Sequence, residues 1–476
     1  MQLKYMSTFV VFWLTYNSRG ITLFMNQELY QELSSKNKQY LWHPFTQMKD
    51  YINEDPLIIS HGKDRKLYDV LGNEYYDGVS SIWLNVHGHN IQELNKAINE
   101  QLEKVAHSTL LGMANIPAIL LAEKLVDISP NGLEKVFYSD SGATSVEIAI
   151  KMAYQYWRNI GKPDKNTFVT MKEAYHGDTI GAVSVGAIDL FHQAYNELLF
   201  PSIKVSYPHL YRSKYVGNEI EIRDAYLKEV EDLFIEKANS IAALILEPIV
   251  QGASGIIVMP KGYLKAVREL CIKYDVLLIA DEVATGFGRT SKMFACDLEG
   301  VTPDILTCGK GLTGGYLPVA ATLTTNRIYE AFLGTYEEQK TFFHGHSYTG
   351  NPLGCAVALA NLDLFKNTQL LEHVEKISTY VKEKLMKFNE LKHVGDIRQS
   401  GLMIGIELVK SKDSKEAFHW NERIGVQVTK RAKELGLLTR PLGNVIVFMP
   451  PLASKESELE EMLDILYRAI SDITES

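Results

Sequence analysis

Residues 276–290 read VLLIADEVATGFGRT: an apolar run closes on two carboxylates, Asp281 and Glu282, and gives way to glycines. In open α/β sheets small molecules bind beyond the carboxyl ends of the strands, so this pair stands where acid–base or charge-stabilising chemistry is done. The competing role for one of them is to cap the turn that follows. A second junction of this kind, residues 304–315 (DILTCGKGLTGG), sets Lys310 among small residues after another short apolar stretch. A lysine taken out of water has a lowered pKa and becomes a nucleophile toward carbonyl carbons, so Schiff-base chemistry is preferred here to a solvated surface amine. Gly309, Gly311 and Gly314 also fit G-x-G-x-x-G, with Glu330 near the acidic position of a nicotinamide site. That signal is weak, because a charge separates the first two glycines and no evident helix follows.

Four further groups carry chemistry. Residues 138–152 (YSDSGATSVEIAIKM) pass from a strand through small residues into a long amphipathic pattern. Backbone amides at such a helix start bind phosphate, which singles out Gly142 and Ala143. An ordinary capped helix, with Ser141 or Thr144 serving the first turn, is the alternative. Tyr175 follows the strand-like TFVTM, where an aromatic ring can stack on a planar cofactor or simply join the core. Arg440 lies between apolar runs, and either a substrate carboxylate or a structural ion pair must satisfy it. His87 and His89, like His344 and His346, alternate around a glycine, but neither pair has a neighbouring Cys or carboxylate at metal-ligand spacing, so no metal is expected.

The elements that must position these residues are legible in the hydrophobic pattern. From about position 134, runs that are apolar throughout (KVFYS, TFVTM, AALIL, VLLIA, DILTC) alternate with helical patterns, as in a mainly parallel sheet with helices on both faces. The expected fold class is therefore α/β, with a smaller α+β domain. The expected organisation is residues 25–80 as an N-terminal part of the small domain, 81–360 as the large domain and 361–476 as its C-terminal part. The 476 residues, about three times a typical domain of roughly 150, fit that division. Residues 1–24 are expected to be an extension outside the fold; their apolar STFVVFWLTY is far shorter than the ~20 residues of a membrane span, and no A-x-A-like cleavage site follows it. With 49 Lys and Arg against 58 Asp and Glu the net charge is −9, and no basic run points to nucleic acid. Four scattered cysteines make no disulfide framework, which suits the cytoplasm.

A carboxylate at one strand end, a lysine after the next and an anion site at a helix start describe pyridoxal phosphate chemistry, with Lys310 holding the aldehyde and Asp281 keeping the ring nitrogen protonated. The stretch DEVATGFGRTSKMFACDLEGVTPDILTCGKGLTGG resembles the signature of the class III (ω-amino acid) aminotransferases, fold type I pyridoxal phosphate enzymes, and the resemblance runs from about Tyr40 onward. The blocks YLWHPFTQM, DGVSSIWLNVHGHN, AYHGDTIGAVSVG and HGHSYTGNPLGCA are similar to the branch that aminates 8-amino-7-oxononanoate in biotin biosynthesis. The resemblance implies that Gly142, Ala143, His346 and Ser347 hold the cofactor, Ser347 from a neighbouring subunit of a homodimer, while Tyr175 stacks on the ring. It further implies that Arg440 binds the keto acid's carboxylate and that Trp83, Gly345 and Phe45 line the substrate path. Members using S-adenosylmethionine carry Tyr where this chain has Phe45, and often Trp-Trp at Ile82-Trp83, so L-lysine is an equal expectation for the amino donor. Other class III donors (ornithine, acetylornithine or a diamine) and an aminomutase are the remaining alternatives.

Overall fold

A computed structural model describes residues 27–475. The expectations for residues 1–24 lie outside these. The large sheet contains seven strands: β1 (Leu133–Ser139), β2 (Thr167–Met171), β3 (Ser202–Val205), β4 (Ile241–Leu246), β5 (Leu277–Asp281), β6 (Ile305–Cys308) and β7 (Ala320–Thr325). Their spatial order is β1-β7-β6-β5-β4-β2-β3. All pairings are parallel except the two made by β7, which runs antiparallel to β1 and β6. Every residue of β4 and of β5 is buried, which is why these strands read as continuous apolar runs. Helices cover the sheet, among them α1 (Gly142–Asn159) and α2 (Tyr263–Lys273).

The ends of the chain fold together. Strand Glu74–Asp77 pairs in parallel with Leu437–Leu438, so the N-terminal four-stranded sheet is completed from near the C-terminus. A second antiparallel sheet is built on Val394–Ser400, Met403–Ser411 and Val445–Phe448, with Arg440–Leu442 on its edge. Helix α3 (Pro352–Asn367) runs without a break past position 361, and α4 (Glu456–Thr474) closes the chain.

One side chain of α3 ties this helix to the loop that carries Lys310. Asn361 is fully buried and donates from Nδ2 to the carbonyls of Gly311 and Leu312 at 2.9 and 3.0 Å. Replacing it by leucine, of similar volume, leaves the Leu312 carbonyl unpaired, at a cost of about 1–3 kcal/mol, and leaves that of Gly311 with only the Gly314 amide at 3.1 Å. Asn361→Leu should therefore lower the thermal unfolding midpoint by several degrees, as differential scanning calorimetry will register.

Candidate active site

The carboxyl ends of five strands converge on one cavity of about 460 Å³, lined by Trp83, Gly142, Ala143, Tyr175, Asp281 and Lys310 among others. β5 ends at Asp281, which lies opposite Thr307 of β6, and Lys310 follows β6 directly. β1 delivers the start of α1, β2 leads to Tyr175 and β4 to Glu247. The Gly309–Gly314 stretch winds into a single tight turn, Lys310–Thr313, rather than opening a helix as a dinucleotide site requires.

Lys310 is strained and unpartnered. Its φ is 42°, a left-handed value uncommon outside glycine, and its amine makes no hydrogen bond or ion pair among the described residues. The ammonium group sits 5.0 Å from the centroid of the Trp83 ring. Burial pulls its pKa down; Asp281 and Glu247 oppose that, while the charges of Arg289 and Arg440 add to it. A nucleophilic amine needs this environment.

Asp281 is held from three sides. Its Oδ2 lies 2.7 Å from Nδ1 of the buried His176, and its Oδ1 accepts from the Thr307 hydroxyl and the Val283 amide, both at 3.1 Å. Glu282 has the other role open to it. Its carboxylate accepts from the Thr285 hydroxyl at 2.5 Å and from the Ala295 and Cys296 amides at 3.0 and 2.8 Å, so it organises the glycine-rich loop. Burial pushes its pKa up to about 7.

At the start of α1 the capping reading is met, and the amides expected to bind phosphate remain available. Ser141 and Thr144 form a reciprocal cap, while the Gly142 and Ala143 amides have no acceptor within the helix. Backbone packs too closely there for larger residues. A Cβ on Gly142 would lie 2.4 Å from Val283 Cγ1, and one on Gly177, at φ 116°, equally close to Ala143 Cβ. Tyr175 donates to Asp178 at 2.6 Å, and burial raises its pKa.

Trp83 sits at the end of an unusual turn. Ser80, Ser81, Ile82 and Trp83 all have positive φ, between 48° and 75°. Each non-glycine residue so placed costs roughly 1–2 kcal/mol, so the turn persists only because its surroundings hold it. It buries the indole, whose Nε1 has no hydrogen-bond partner among the described residues, while Ile82 faces outward. Arg440 makes neither a hydrogen bond nor an ion pair within those residues, so the structural ion pair that would have satisfied it is not formed there. Burial lowers its pKa and Tyr175 opposes this.

Other expected residues lie apart from the cavity. Phe45 is exposed and contacts Phe191 at 5.4 Å, which in turn meets Tyr175 at 6.4 Å. Gly345 and Ser347 are exposed on a loop whose His346 lies 3.9 Å from Asp140, next to the start of α1. His87 packs against Phe365, His89 against Asp77, and His344 lies 3.1 Å from the Lys151 amine. Two residues were not anticipated, His176 and Glu247. Glu247 repeats the pattern that revealed Asp281, a carboxylate ending an all-apolar strand, and accepts from Gly252 at 2.8 Å and Tyr175 at 3.4 Å. The contact of His176 with Asp281 is invisible without the fold.

Burial raises the Glu247 pKa from 4.5 to about 7. Between these values the folded protein holds a proton that the unfolded chain has released, so this group's contribution to stability is full at low pH and is lost as pH rises toward 7. Urea unfolding of the cofactor-free protein across that range should fall off less steeply for Glu247→Gln than for the wild type; parallel profiles would contradict the assignment.

An unpartnered amine, free helix-start amides over glycine, an unpartnered indole and a carboxylate beneath the cavity fit a flat, phosphorylated aldehyde cofactor. The model of the family described as aminotransferase class-III matches residues 50–470. Over 444 residues the chain is 58% identical to the adenosylmethionine-8-amino-7-oxononanoate aminotransferase of Anoxybacillus flavithermus, covering 93% of this chain and 97% of that one. The crystal structure of the enzyme of that name from Methanocaldococcus jannaschii superimposes with a TM-score of 0.89 at 47% identity, covering 93% and 99% of the two chains. An ω-transaminase from Pseudomonas jessenii, solved in complex with PMP, gives 0.90 at 33% identity over 93% and 98%. The chain belongs to the class III aminotransferases, with the fold of the pyridoxal phosphate-dependent transaminases.

Proposed function

We propose that this aminotransferase converts 8-amino-7-oxononanoate to 7,8-diaminononanoate, a step of biotin biosynthesis, in the cytoplasm. The observation that carries the reading is the unpartnered, partly buried Arg440 in electrostatic reach of Lys310, which suits an acceptor with a carboxylate at one end and a carbonyl at the other. The relatives named above, at 58% and 47% identity, are named for the same acceptor.

The cofactor is pyridoxal 5′-phosphate, which supplies an electron sink when bound. Lys310 would hold its aldehyde carbon, and its amine, lowered in pKa by burial, is suited to moving a proton at the reacting carbon. Asp281, fixed by His176 and Thr307, keeps the ring nitrogen charged. The Gly142 and Ala143 amides would hold the phosphate, and Tyr175, on the same cavity, would stack on the ring. Trp83 lines the acceptor's aliphatic path, and Gly345, exposed on its loop, would reach that path from the second copy.

Two copies share each site in this reading. Ser347 is exposed on the loop of His346, as are the large apolar Phe343 and Tyr348; Leu111, Met113 and Ile116 are exposed on the segment that Asn115 ties to the Gly350 carbonyl. Such a surface suits a second copy of the chain.

S-adenosylmethionine is the donor in the first reading, as the relatives' names suggest. One observation favours L-lysine instead: Phe45 offers no hydroxyl where it approaches Tyr175 through Phe191. A donor panel with 8-amino-7-oxononanoate fixed, including ornithine and a diamine, decides between them. Amino transfer from either named donor supports the acceptor, and no transfer from any donor refutes it. Arg440→Ala should raise KM for the keto acid by about 10- to 100-fold while leaving the donor half-reaction within a few-fold of wild type.

A further inference from the structure

We propose that Asp77 is a positioning residue for the active site, clasping the left-handed turn that presses Trp83 against Lys310. Asp77 is buried at the end of strand Glu74–Asp77, with Gly78 and Val79 between it and the turn. Its Oδ1 accepts from the Ser81 amide at 2.9 Å, and its Oδ2 accepts from the Ser81 hydroxyl at 2.8 Å and faces His89 Nε2 at 3.0 Å. Both carboxylate oxygens are thus committed to the turn and to one histidine. Burial alone would push this carboxyl up, but the contacts with His89 and Ser81 bring it below its ordinary range, so it is held as an anion.

The turn has no glycine to relieve it, and four successive positive φ values are not a resting conformation for such a segment. Strain kept in this way next to reacting groups marks a functional constraint. Its product is the Trp83 ring, 5.0 Å from the Lys310 amine and packed so closely on Gly252 that a Cβ there would touch Cζ3 at 3.0 Å. A second pin, the Ser80 hydroxyl donating to the Met449 carbonyl at 2.7 Å, fixes the start of the turn to the C-terminal part of the chain. Asp77 also registers with Leu438, two residues before Arg440. One residue therefore joins the turn that carries the indole, through its carboxylate, to the strand that leads to Arg440, through its backbone.

Asp77→Asn keeps the shape and removes the charge and one of the two acceptor oxygens. In the holoenzyme it should lower kcat/KM by about 10- to 100-fold, the scale of a misplacement of about 1 Å, with the absorbance of the bound cofactor unchanged. Ile82→Gly added to it supplies a residue at ease with positive φ and should restore most of the loss. A carboxylate that merely stabilised the fold would show no such rescue. The crystal structure of the Asp77→Asn holoenzyme should show residues 80–83 relaxed and Trp83 displaced from Lys310. A folded Asp77→Asn variant within about twofold of wild type, a loss that glycine does not relieve, or an unmoved Trp83 each overturns the inference. If Asp77→Asn does not fold, Ser81→Ala, with and without Ile82→Gly, is judged by the same outcomes.

The inference rests on the placement of Lys310 and Trp83 at the reacting centre. The kinetics use whichever donor and acceptor the wild type turns over, so a wrong acceptor leaves the test intact. The position of Trp83 is read crystallographically whatever the substrate.

Discussion

Everything in the site depends on keeping one amine out of water without giving it a partner. Lys310 is lowered in pKa by burial, and the opposing pull of Asp281 and Glu247 comes from neighbouring strand ends rather than from a contact ion pair. A direct carboxylate partner would hold the proton and abolish nucleophilicity; full exposure would do the same by solvation. The parallel arrangement of β4, β5 and β6 solves this by setting the two carboxylates and the lysine side by side at one edge, each on its own strand. The carboxylates are occupied elsewhere: Asp281 by His176, Thr307 and Val283, and Glu247 by backbone amides.

The cavity's Trp83 and the nearby Arg440, whose charge reaches Lys310, come from distant stretches of chain. Trp83 arrives from the N-terminal region on a strained turn, and Arg440 from the C-terminal region on an edge strand. These two regions meet through the pairing of Asp77 with Leu438. The two ends of the chain are thus joined beside the carboxyl edge of the large sheet.

Much of this was legible in the sequence, for a physical reason. Fully buried parallel strands must be apolar throughout, so a charged residue closing such a run stands out; Asp281 and Lys310 were found this way. The same rule, applied to AALILEP, points to Glu247. The pairing of Asp281 with His176 could not be read, because it joins the loop after β2 to the end of β5 across the intervening β4, which only the sheet order reveals. Nor could the left-handed turn, since Ser80 to Trp83 contains no glycine to announce it. For Glu282 the sequence favoured chemistry with capping as the competing role, and its contacts with Thr285, Ala295 and Cys296 make it an organiser of its own loop.

The central claim is that the side chain at position 310 carries the cofactor. Borohydride reduction of the holoenzyme, followed by proteolysis and mass spectrometry, tests it most directly. The account predicts a reduced pyridoxyl phosphate group on the peptide containing Lys310 and loss of that adduct in Lys310→Ala. A label on any other lysine, or a holoenzyme that gives no adduct, would contradict it.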